Sequence, residues 1–350
     1  MKYIRIIFFL LISSVTSAQS VTKRVLFLGN SYTYVNDLPA TIANVAFSMS
    51  DSLIYDSYTP GGYSIGNHSL DPNSLAKIMT GNWDYVVLQG QSYEFVTTDP
   101  FTFSPAPYVH KLDSLIKVYN SCSETILYMT WARKNGDPGS CPNYPWLCNY
   151  HLMDSVIHLN YMLVADSNNA VVSPAGGVWN YIRQQFPNIE LYQADESHPS
   201  EAGTYAAACC FYTTIFRKNP ALISFNSTLS TADAFSIKSA AKIIVYDNLL
   251  NWHIGENDSI LYINCPSGID DGITIPPLTI SPNPATSFIK VNFPGNNSAL
   301  HISIYSLTGT LIKEADTFYN TWFPVSDLQG GMYFIRLNNE KEQTFKIVRY

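Results

Sequence analysis

Charged residues are scarce in this chain. They account for 13% of its 350 residues, whereas hydrophobic residues account for 46% and aromatic residues for 14%. A composition this poor in charge and rich in apolar side chains can bury a sizeable core, which excludes an intrinsically disordered protein. The length allows about two domains of ordinary size.

An excess of basic residues is lacking as well. The chain contains 20 Lys and Arg residues against 27 Asp and Glu residues, and its formal net charge is -7. An acidic protein is repelled by the phosphate backbone of DNA or RNA, so we expect no nucleic-acid partner.

Long hydrophobic runs are absent beyond the N-terminus. Residues 1–18 have the three parts of a signal peptide: the basic residues Lys2 and Arg5, an apolar stretch over residues 6–12, and small residues ending at Ala18. The apolar stretch is too short to span a bilayer, and no later segment is long and apolar enough. We therefore predict an exported protein without a transmembrane segment, whose net charge becomes -9 when Lys2 and Arg5 are removed with the leader.

The six cysteines do not form a metal-binding pattern. Cys141 and Cys148 bracket the segment CPNYPWLC, and export permits their oxidation, so we predict a local disulfide between them. A zinc site would need a second pair of ligands at suitable spacing, which the chain does not offer. Cys209 and Cys210 lie in an alanine-rich helical pattern, where we expect burial as small apolar side chains. We expect no metal and no cofactor.

Residues 21–255 alternate short β-branched runs with segments of helical periodicity. The runs are RVLFLGN, SLIYDSY, DYVVLQGQS, ETILYMTW and AVVSPAG. This alternation is typical of βαβ units, and the nearly continuous apolar character of the third run is typical of a parallel strand covered on both faces. We predict an α/β domain with a flavodoxin-like, doubly wound, five-stranded parallel sheet.

A linker and a second domain are predicted to follow. Residues 256–276 are rich in Pro, Gly, Ser and Asp, as is typical of linkers. Residues 277–350 contain alternating runs separated by turn residues, which predict a small all-β sandwich.

This tail resembles the C-terminal sorting domain of the type IX secretion system. The resemblance depends on four segments in the same order as in that family: ISPNPATSFIKVNF, ISIYSLTGTLIKE, DLQGGMYFIRL and FKIVRY. It implies a Sec signal peptide for the inner membrane, the type IX machinery as a partner for the outer membrane, and a secreted or outer-surface location. The alternative for the tail is an ordinary carbohydrate-binding or adhesive module.

A serine stands where a doubly wound sheet forms its sites. The first predicted strand ends in LFLGNSYT, which places Ser31 just beyond its carboxyl end. A serine hydroxyl needs a base to become a nucleophile, and the base needs a third group to orient it. Asp195 and His198 lie three residues apart in the loop segment DESHPS and can supply both groups.

These segments resemble the SGNH hydrolases, the GDSL-like esterase superfamily, over roughly residues 24–216. FLGNSYT is similar to the first block of that family and DESHPS to the last block. The resemblance implies the SGNH hydrolase fold and a catalytic triad in which Ser31 is the nucleophile, His198 the base and Asp195 the orienting carboxylate.

The resemblance also implies an oxyanion hole. PGGYS is similar to the second block, whose glycine, assigned to Gly62 with Gly61 as the alternative, donates its N–H together with the N–H of Ser31. The third block, G-x-N-D, is absent, and Gln91 falls where the family has its oxyanion-hole Asn. The alternative for Gln91 is that its side chain satisfies backbone groups of its own loop. Asn30 replaces the usual Asp before the nucleophile, a change we expect to be tolerated because that side chain does not react.

Four further residues are candidate substrate contacts. Trp131 and Arg133 lie in a long aromatic loop after the fourth strand, Tyr93 follows the third strand beside Glu94, and His68 follows the glycine segment. Aromatic rings can stack on sugars, and Arg133 can meet a carboxylate or a hydroxyl. The alternatives are that the loop's aromatic residues pack a small core of their own, and that His68 is an ordinary residue at the start of a helix.

The sequence thus predicts a secreted serine esterase that hydrolyses short acyl esters, acetyl esters above all, of carbohydrates or glycoconjugates. The family resemblance and the export signals suggest that substrate class, which no single residue indicates. The alternatives are a non-catalytic glycan-binding surface protein on the same fold, a lipid esterase, and an acyltransferase that uses the same residues.

Overall fold

The structure, a computed structural model, describes residues 20–96, 105–256, 279–292, 299–306, 309–318, 321–338 and 343–349. The contacts divide the chain into two units, Met1–Asn257 and Asp258–Tyr350. The predicted signal peptide and the predicted linker after residue 256 lie outside the described residues, so their boundaries stay predictions.

The first unit is built on a parallel sheet. Its strands are β1 (Thr22–Leu28), β2 (Ser52–Tyr58), β3 (Tyr85–Leu88), β4 (Glu124–Tyr128) and β5 (Val171–Ser173). Their order is β2-β1-β3-β4-β5, and each neighbouring pair is parallel. The chain winds outward in both directions from β1 and β3, which makes this pair the topological switch point. The predicted α/β fold class is confirmed.

Helices connect the strands and cover the sheet. Those in the described part of the first unit are α1 (Ser31–Tyr34), α2 (Leu38–Ser48), α3 (Ile65–His68), α4 (Pro72–Met79), α5 (Ala106–Tyr119), α6 (Tyr150–Asn168), α7 (Ala175–Gln185), α8 (Glu201–Phe216) and α9 (Thr231–Ile244). Short 3-10 helices span Pro145–Leu147, Pro220–Leu222 and Tyr246–Trp252. None of the described helices is both long enough and apolar enough to cross a membrane.

The sheet lies at the centre of the core. Every residue of β3 and β4 is buried, because the flanking helices cover both faces of the sheet, and this explains the apolar runs in the sequence. Helix α8 is buried along nearly its whole length, including Cys209 and Cys210, as predicted. Cys141 and Cys148 form the predicted disulfide, and Cys122 is also disulfide-bonded.

The second unit contains two antiparallel sheets. Its strands are β6 (Thr279–Ser281), β7 (Phe288–Asn292), β8 (Ala299–Ser306), β9 (Leu311–Phe318), β10 (Trp322–Pro324), β11 (Gly331–Asn338) and β12 (Gln343–Arg349). One sheet has the order β10-β7-β6 and the other the order β12-β11-β8-β9. Apolar side chains of both sheets, such as Ile289 and Ile302, share one core, so the predicted all-β architecture is confirmed.

Helix α8 approaches its neighbours closely at Gly203. A Cβ there would lie 2.3 Å from the Leu191 carbonyl oxygen and 2.5 Å from the Trp179 ring. We expect Gly203→Ala to lower the free energy of unfolding by about 1–3 kcal/mol through overpacking. Gly177→Ala is the matched control, because its Cβ would make only an ordinary contact, 3.5 Å from Ile244, and should raise stability by up to about 1 kcal/mol.

Urea denaturation of both variants checks this prediction. Equal unfolding free energies for the two alanine variants would contradict the close approach at Gly203.

Candidate active site

Ser31 follows a tight turn at the carboxyl end of β1. The turn requires glycine at position 29, because a Cβ there would lie 2.5 Å from Thr33 Oγ1 and 2.7 Å from Gln89 Oε1. The carboxamide oxygen of the buried Gln89 accepts hydrogen bonds from the Asn30 N–H (2.8 Å) and the Thr33 hydroxyl (3.0 Å). Gln89 therefore holds the turn from which Ser31 starts helix α1.

Asn30 ties this turn to two other loops. Its carboxamide oxygen accepts a hydrogen bond from the Tyr32 N–H at 3.1 Å and caps α1. Its nitrogen donates to the carbonyls of Tyr63 (2.7 Å) and Gly90 (3.4 Å), in the loops after β2 and β3. An ionised aspartate could not donate these bonds. The amide at position 30 thus has a structural use of its own.

Ser31, His198 and Asp195 form a continuous hydrogen-bonded series. His198 Nε2 lies 2.8 Å from Ser31 Oγ, and His198 Nδ1 is hydrogen-bonded to Asp195 Oδ2. The other Asp195 oxygen accepts the N–H groups of Ser197 (3.1 Å) and His198 (2.9 Å). Because an ionised carboxylate only accepts, Nδ1 carries the ring proton and Nε2 is free to accept the serine proton.

Asp195 is held in its charged form. Partial burial raises the pKa of this carboxyl, but hydrogen bonds from the His198 ring and from the His198 and Ser197 N–H groups outweigh burial and bring the pKa below its usual value. The carboxylate is therefore ionised at neutral pH and can fix the orientation of the imidazole.

A buried aromatic stack supports the loop that carries His198. The Trp131 ring lies between Trp179, at 3.6 Å, and Tyr32, at 5.1 Å between centroids. Trp131 Nε1 donates to the Ser197 carbonyl at 3.0 Å, and the Tyr32 hydroxyl is hydrogen-bonded to Ser197 Oγ at 2.5 Å. The Tyr32 ring meets His198 edge to face at 5.5 Å.

Trp131 consequently cannot serve as the predicted substrate contact. Its side chain is only 1% exposed, and protein rings cover both of its faces. The aromatic loop after β4 does supply part of the candidate site, but Trp131 packs inward and positions the loop that carries His198. Burial of this kind cannot be inferred from the order of residues along a loop.

His68 is also buried and does not fit its predicted role in substrate contact. It is the last residue of α3 and is 1% exposed. Its Nε2 donates to the Gly29 carbonyl at 2.9 Å, so its Nδ1 accepts the Ser74 hydroxyl at 2.8 Å. Burial lowers the pKa of His68, which favours the neutral ring that these two bonds require. His68 braces the turn before Ser31.

Gly62 and Gln91 lie in the loops that Asn30 connects. Gly62 is exposed with a φ of 72°, and its N–H donates no hydrogen bond to any described residue. Gln91 Oε1 accepts the Tyr93 N–H at 2.7 Å, and its Nε2 donates to Ser92 Oγ at 3.1 Å. The Gln91 side chain is thus braced against its own loop and retains one amide hydrogen.

Glu94 clamps the same two loops together. Its carboxylate accepts the N–H groups of Gln91 (2.9 Å), Ile65 (3.0 Å) and Gly66 (3.3 Å). The sequence indicates only that Glu94 is near the site, and a glutamate just beyond a strand end gives no signal for this bridging role.

Tyr93 and Arg133 come together beside the triad. The Arg133 guanidinium lies 4.9 Å from the centroid of the Tyr93 ring, and the Tyr93 hydroxyl donates to Asp137 Oδ2 at 2.7 Å. Burial, followed by the bond to Asp137, raises the pKa of Tyr93 to about 12.

Within the described residues, no group of three or more His, Cys, Asp or Glu side chains is placed to hold a metal ion.

Residues 279–349 match the family described as "Secretion system C-terminal sorting domain". This match confirms the prediction for the tail. It indicates secretion or a cell-surface location and implies interaction with the secretion machinery.

Several solved structures are similar to the chain. A DUF4886 family protein from Bacteroides uniformis is 18% identical with a TM-score of 0.56, and the similarity covers 65% of this chain and 95% of that chain. A candidate SGNH hydrolase from Slackia heliotrinireducens is 25% identical with a TM-score of 0.44, covering 55% of this chain and 97% of that one. A catalytic mutant of an acetylxylan esterase from Geobacillus stearothermophilus is 16% identical with a TM-score of 0.38, and the similarity covers 59% of this chain and 96% of that chain.

Among curated proteins, none matches the chain. The structures similar to it include SGNH-type hydrolases, as the sequence resemblance predicts. The first unit shares the fold of the Bacteroides protein, and the second unit contains a secretion sorting domain.

Proposed function

We propose that the protein is a secreted serine esterase that hydrolyses short acyl esters, acetyl esters above all, of carbohydrates or glycoconjugates. One observation carries the proposal: Ser31, His198 and Asp195 are hydrogen-bonded in series at the carboxyl edge of a doubly wound sheet. Sites in such sheets lie at this edge, and the series supplies a nucleophile, a base and an orienting carboxylate.

The first half of the reaction transfers the acyl group to the enzyme. Ser31 Oγ attacks the ester carbonyl while His198 Nε2 takes the hydroxyl proton. Asp195 stabilises the imidazolium through Nδ1. The tetrahedral intermediate collapses when His198 Nε2 gives the proton to the leaving alcohol oxygen, so the alcohol part of the substrate lies on the His198 side.

The second half releases the acyl group. His198 takes a proton from water, whose oxygen attacks the acyl-enzyme, and then returns the proton to Ser31 Oγ as the acid leaves. An acyltransferase would use another alcohol in place of this water, with the same residues.

Three donors are proposed for the oxyanion: the N–H groups of Ser31 and Gly62, and the Gln91 carboxamide. The two N–H groups donate to no described residue, which leaves both available to a ligand. Gln91 is braced by Ser92 and Tyr93, so its remaining amide hydrogen has a restricted direction. Preorganised donors of this kind stabilise charge that develops only in the transition state.

Export is proposed to take two steps. The predicted signal peptide directs the chain across the inner membrane, and the sorting domain then directs it across the outer membrane by type IX secretion. The carbohydrate substrate class follows from the family resemblance and from this exported location.

We expect Ser31→Ala to lower kcat for p-nitrophenyl acetate by at least about a thousandfold, because the nucleophile is lost. Asp195→Asn should lower kcat by about a hundredfold to ten-thousandfold, because the imidazole loses its oriented tautomer. Ser52→Ala is the matched control, since Ser52 is an exposed serine at the opposite end of β2. Purified full-length variants, assayed with acetate and octanoate esters, give the measurement, and acetate should be preferred.

One outcome would refute the proposed esterase activity. If the folded wild type hydrolysed no ester while Ser31→Ala bound glycans as well as the wild type, the non-catalytic glycan-binding role would replace it.

We expect substitution of Gln91 to affect catalysis and substitution of Gln89 to affect stability. Gln91→Leu should lower kcat by about a hundredfold to a thousandfold with little change in KM or stability, as expected for loss of an oxyanion donor. Gln89→Leu should lower the free energy of unfolding by about 1–3 kcal/mol, because the Asn30 N–H and the Thr33 hydroxyl lose their acceptor. Steady-state kinetics and urea denaturation of both variants test this. A kinetically silent Gln91→Leu would remove Gln91 from the oxyanion hole.

A further inference from the structure

Arg133 is a half-buried cation whose guanidinium has no hydrogen-bonding partner among the residues that the structure describes. Its Nε is buried, and the group donates no hydrogen bond and forms no ion pair with any residue that the structure describes. Leaving a buried donor unsatisfied costs about 1–3 kcal/mol, and more when the donor is charged. Buried polar groups in folded proteins nearly always have partners, so this exception needs a reason.

Nearby cations are satisfied, in contrast to Arg133. Lys134 forms an ion pair with Glu190 at 2.6 Å. Arg183 donates to the Lys134 carbonyl at 2.8 Å and lies 3.9 Å over the Tyr150 ring. The lack of a partner is therefore specific to Arg133 and is not a general property of this loop.

The described residues around Arg133 support its guanidinium but form no ion pair with it. The Tyr93 ring supports one face of the group at 4.9 Å. Asp137 interacts electrostatically with Arg133 but forms no ion pair with it, and its carboxylate accepts other donors: the Tyr93 hydroxyl at 2.7 Å and the N–H groups of Gly139 (3.2 Å) and Ser140 (3.4 Å). The cation is fixed in direction and keeps its donors for a ligand.

Arg133 lies on the His198 side of the candidate active site. The next residue, Lys134, donates its N–H to the Glu196 carbonyl at 3.0 Å, so the two loops run side by side. Burial raises the pKa of the Tyr32 phenol while the charge of Arg133 opposes that rise, which places the cation near the ring that contacts His198.

We propose that Arg133 binds a carboxylate on the alcohol part of the ester, so that the substrate is an acylated acidic sugar such as an acetylated uronic acid. This inference rests on the proposed esterase function, in which the alcohol part leaves toward His198. A guanidinium matches a carboxylate with two parallel hydrogen bonds. The acidic chain repels anions in general, so an anionic substrate needs a local cation of this kind.

The test compares acid and neutral forms of one substrate. Acetylated methyl uronosides of the glucose and galactose series, and the methyl esters of their carboxylates, are assayed with the full-length wild type, Arg133→Gln and the control Lys134→Gln. The wild type should prefer at least one acid over its methyl ester by about tenfold or more in kcat/KM, mainly through KM. Arg133→Gln should reduce that ratio to near one, and Lys134→Gln should preserve it.

A wild type that does not distinguish acid from methyl ester in either series, or a ratio that survives in Arg133→Gln, overturns the proposal. A direct binding measurement separates this result from failure of the esterase itself. Unacetylated methyl uronosides and methyl glycosides are titrated by NMR into Ser31→Ala and into Ser31→Ala with Arg133→Gln. Carboxylate-dependent binding that requires Arg133 supports the anion site even if the wild type hydrolyses no ester, and its absence counts against the site.

Discussion

The tight turn after β1 is the constraint on which the candidate site depends. Gly29 lets the chain pass within van der Waals reach of Gln89, and Gln89 accepts the bonds that fix the next residues. From the opposite side, His68 donates to the Gly29 carbonyl. Asn30 then extends the same network to the loops after β2 and β3. Because these groups are buried and satisfied by one another, the position of Ser31 is set by the core and not by a mobile loop.

His198, the proposed base, reaches this serine from another part of the chain, and a separate set of contacts positions it. The loop between α7 and α8 is fixed by the stack of Tyr32, Trp131 and Trp179, and by the hydrogen bonds of Tyr32 and Trp131 to Ser197. Tyr32 belongs to α1 and directly follows Ser31. One ring therefore contacts both halves of the site, so a shift of either half would break the stack or lose a hydrogen bond. The turn that carries Ser31 and the loop that carries His198 are far apart in sequence, and rigid aromatic packing holds them in a fixed relative position.

The sequence predicts the sheet well, because strands and helices leave patterns within short segments of the chain. Buried strands appear as continuous apolar runs, and the segments between them have helical periodicity. Helix α7 is not predicted from the sequence. Gly176 is needed in this helix because a Cβ there would lie 2.2 Å from the Thr130 carbonyl oxygen. The predicted triad residues come together because the loop between α7 and α8, which carries Asp195 and His198, lies against the carboxyl end of β1, where Ser31 follows the strand. The roles of Trp131 and His68 could not be predicted, since position along the chain does not specify whether a side chain points into the core or toward solvent.

The predicted oxyanion donors need support from residues whose role the sequence does not reveal. Backbone N–H groups stabilise an oxyanion only when their direction is fixed before the substrate arrives. Glu94 supplies part of this constraint by accepting N–H groups from the start of α3 and from the loop after β3 at once. A carboxylate so near would oppose an oxyanion if its charge were unscreened. Three backbone donors disperse that charge, so Glu94 holds the start of α3 at a fixed separation from the loop after β3, while the proposed oxyanion donors, the Gly62 N–H and one Gln91 amide hydrogen, donate to no described residue.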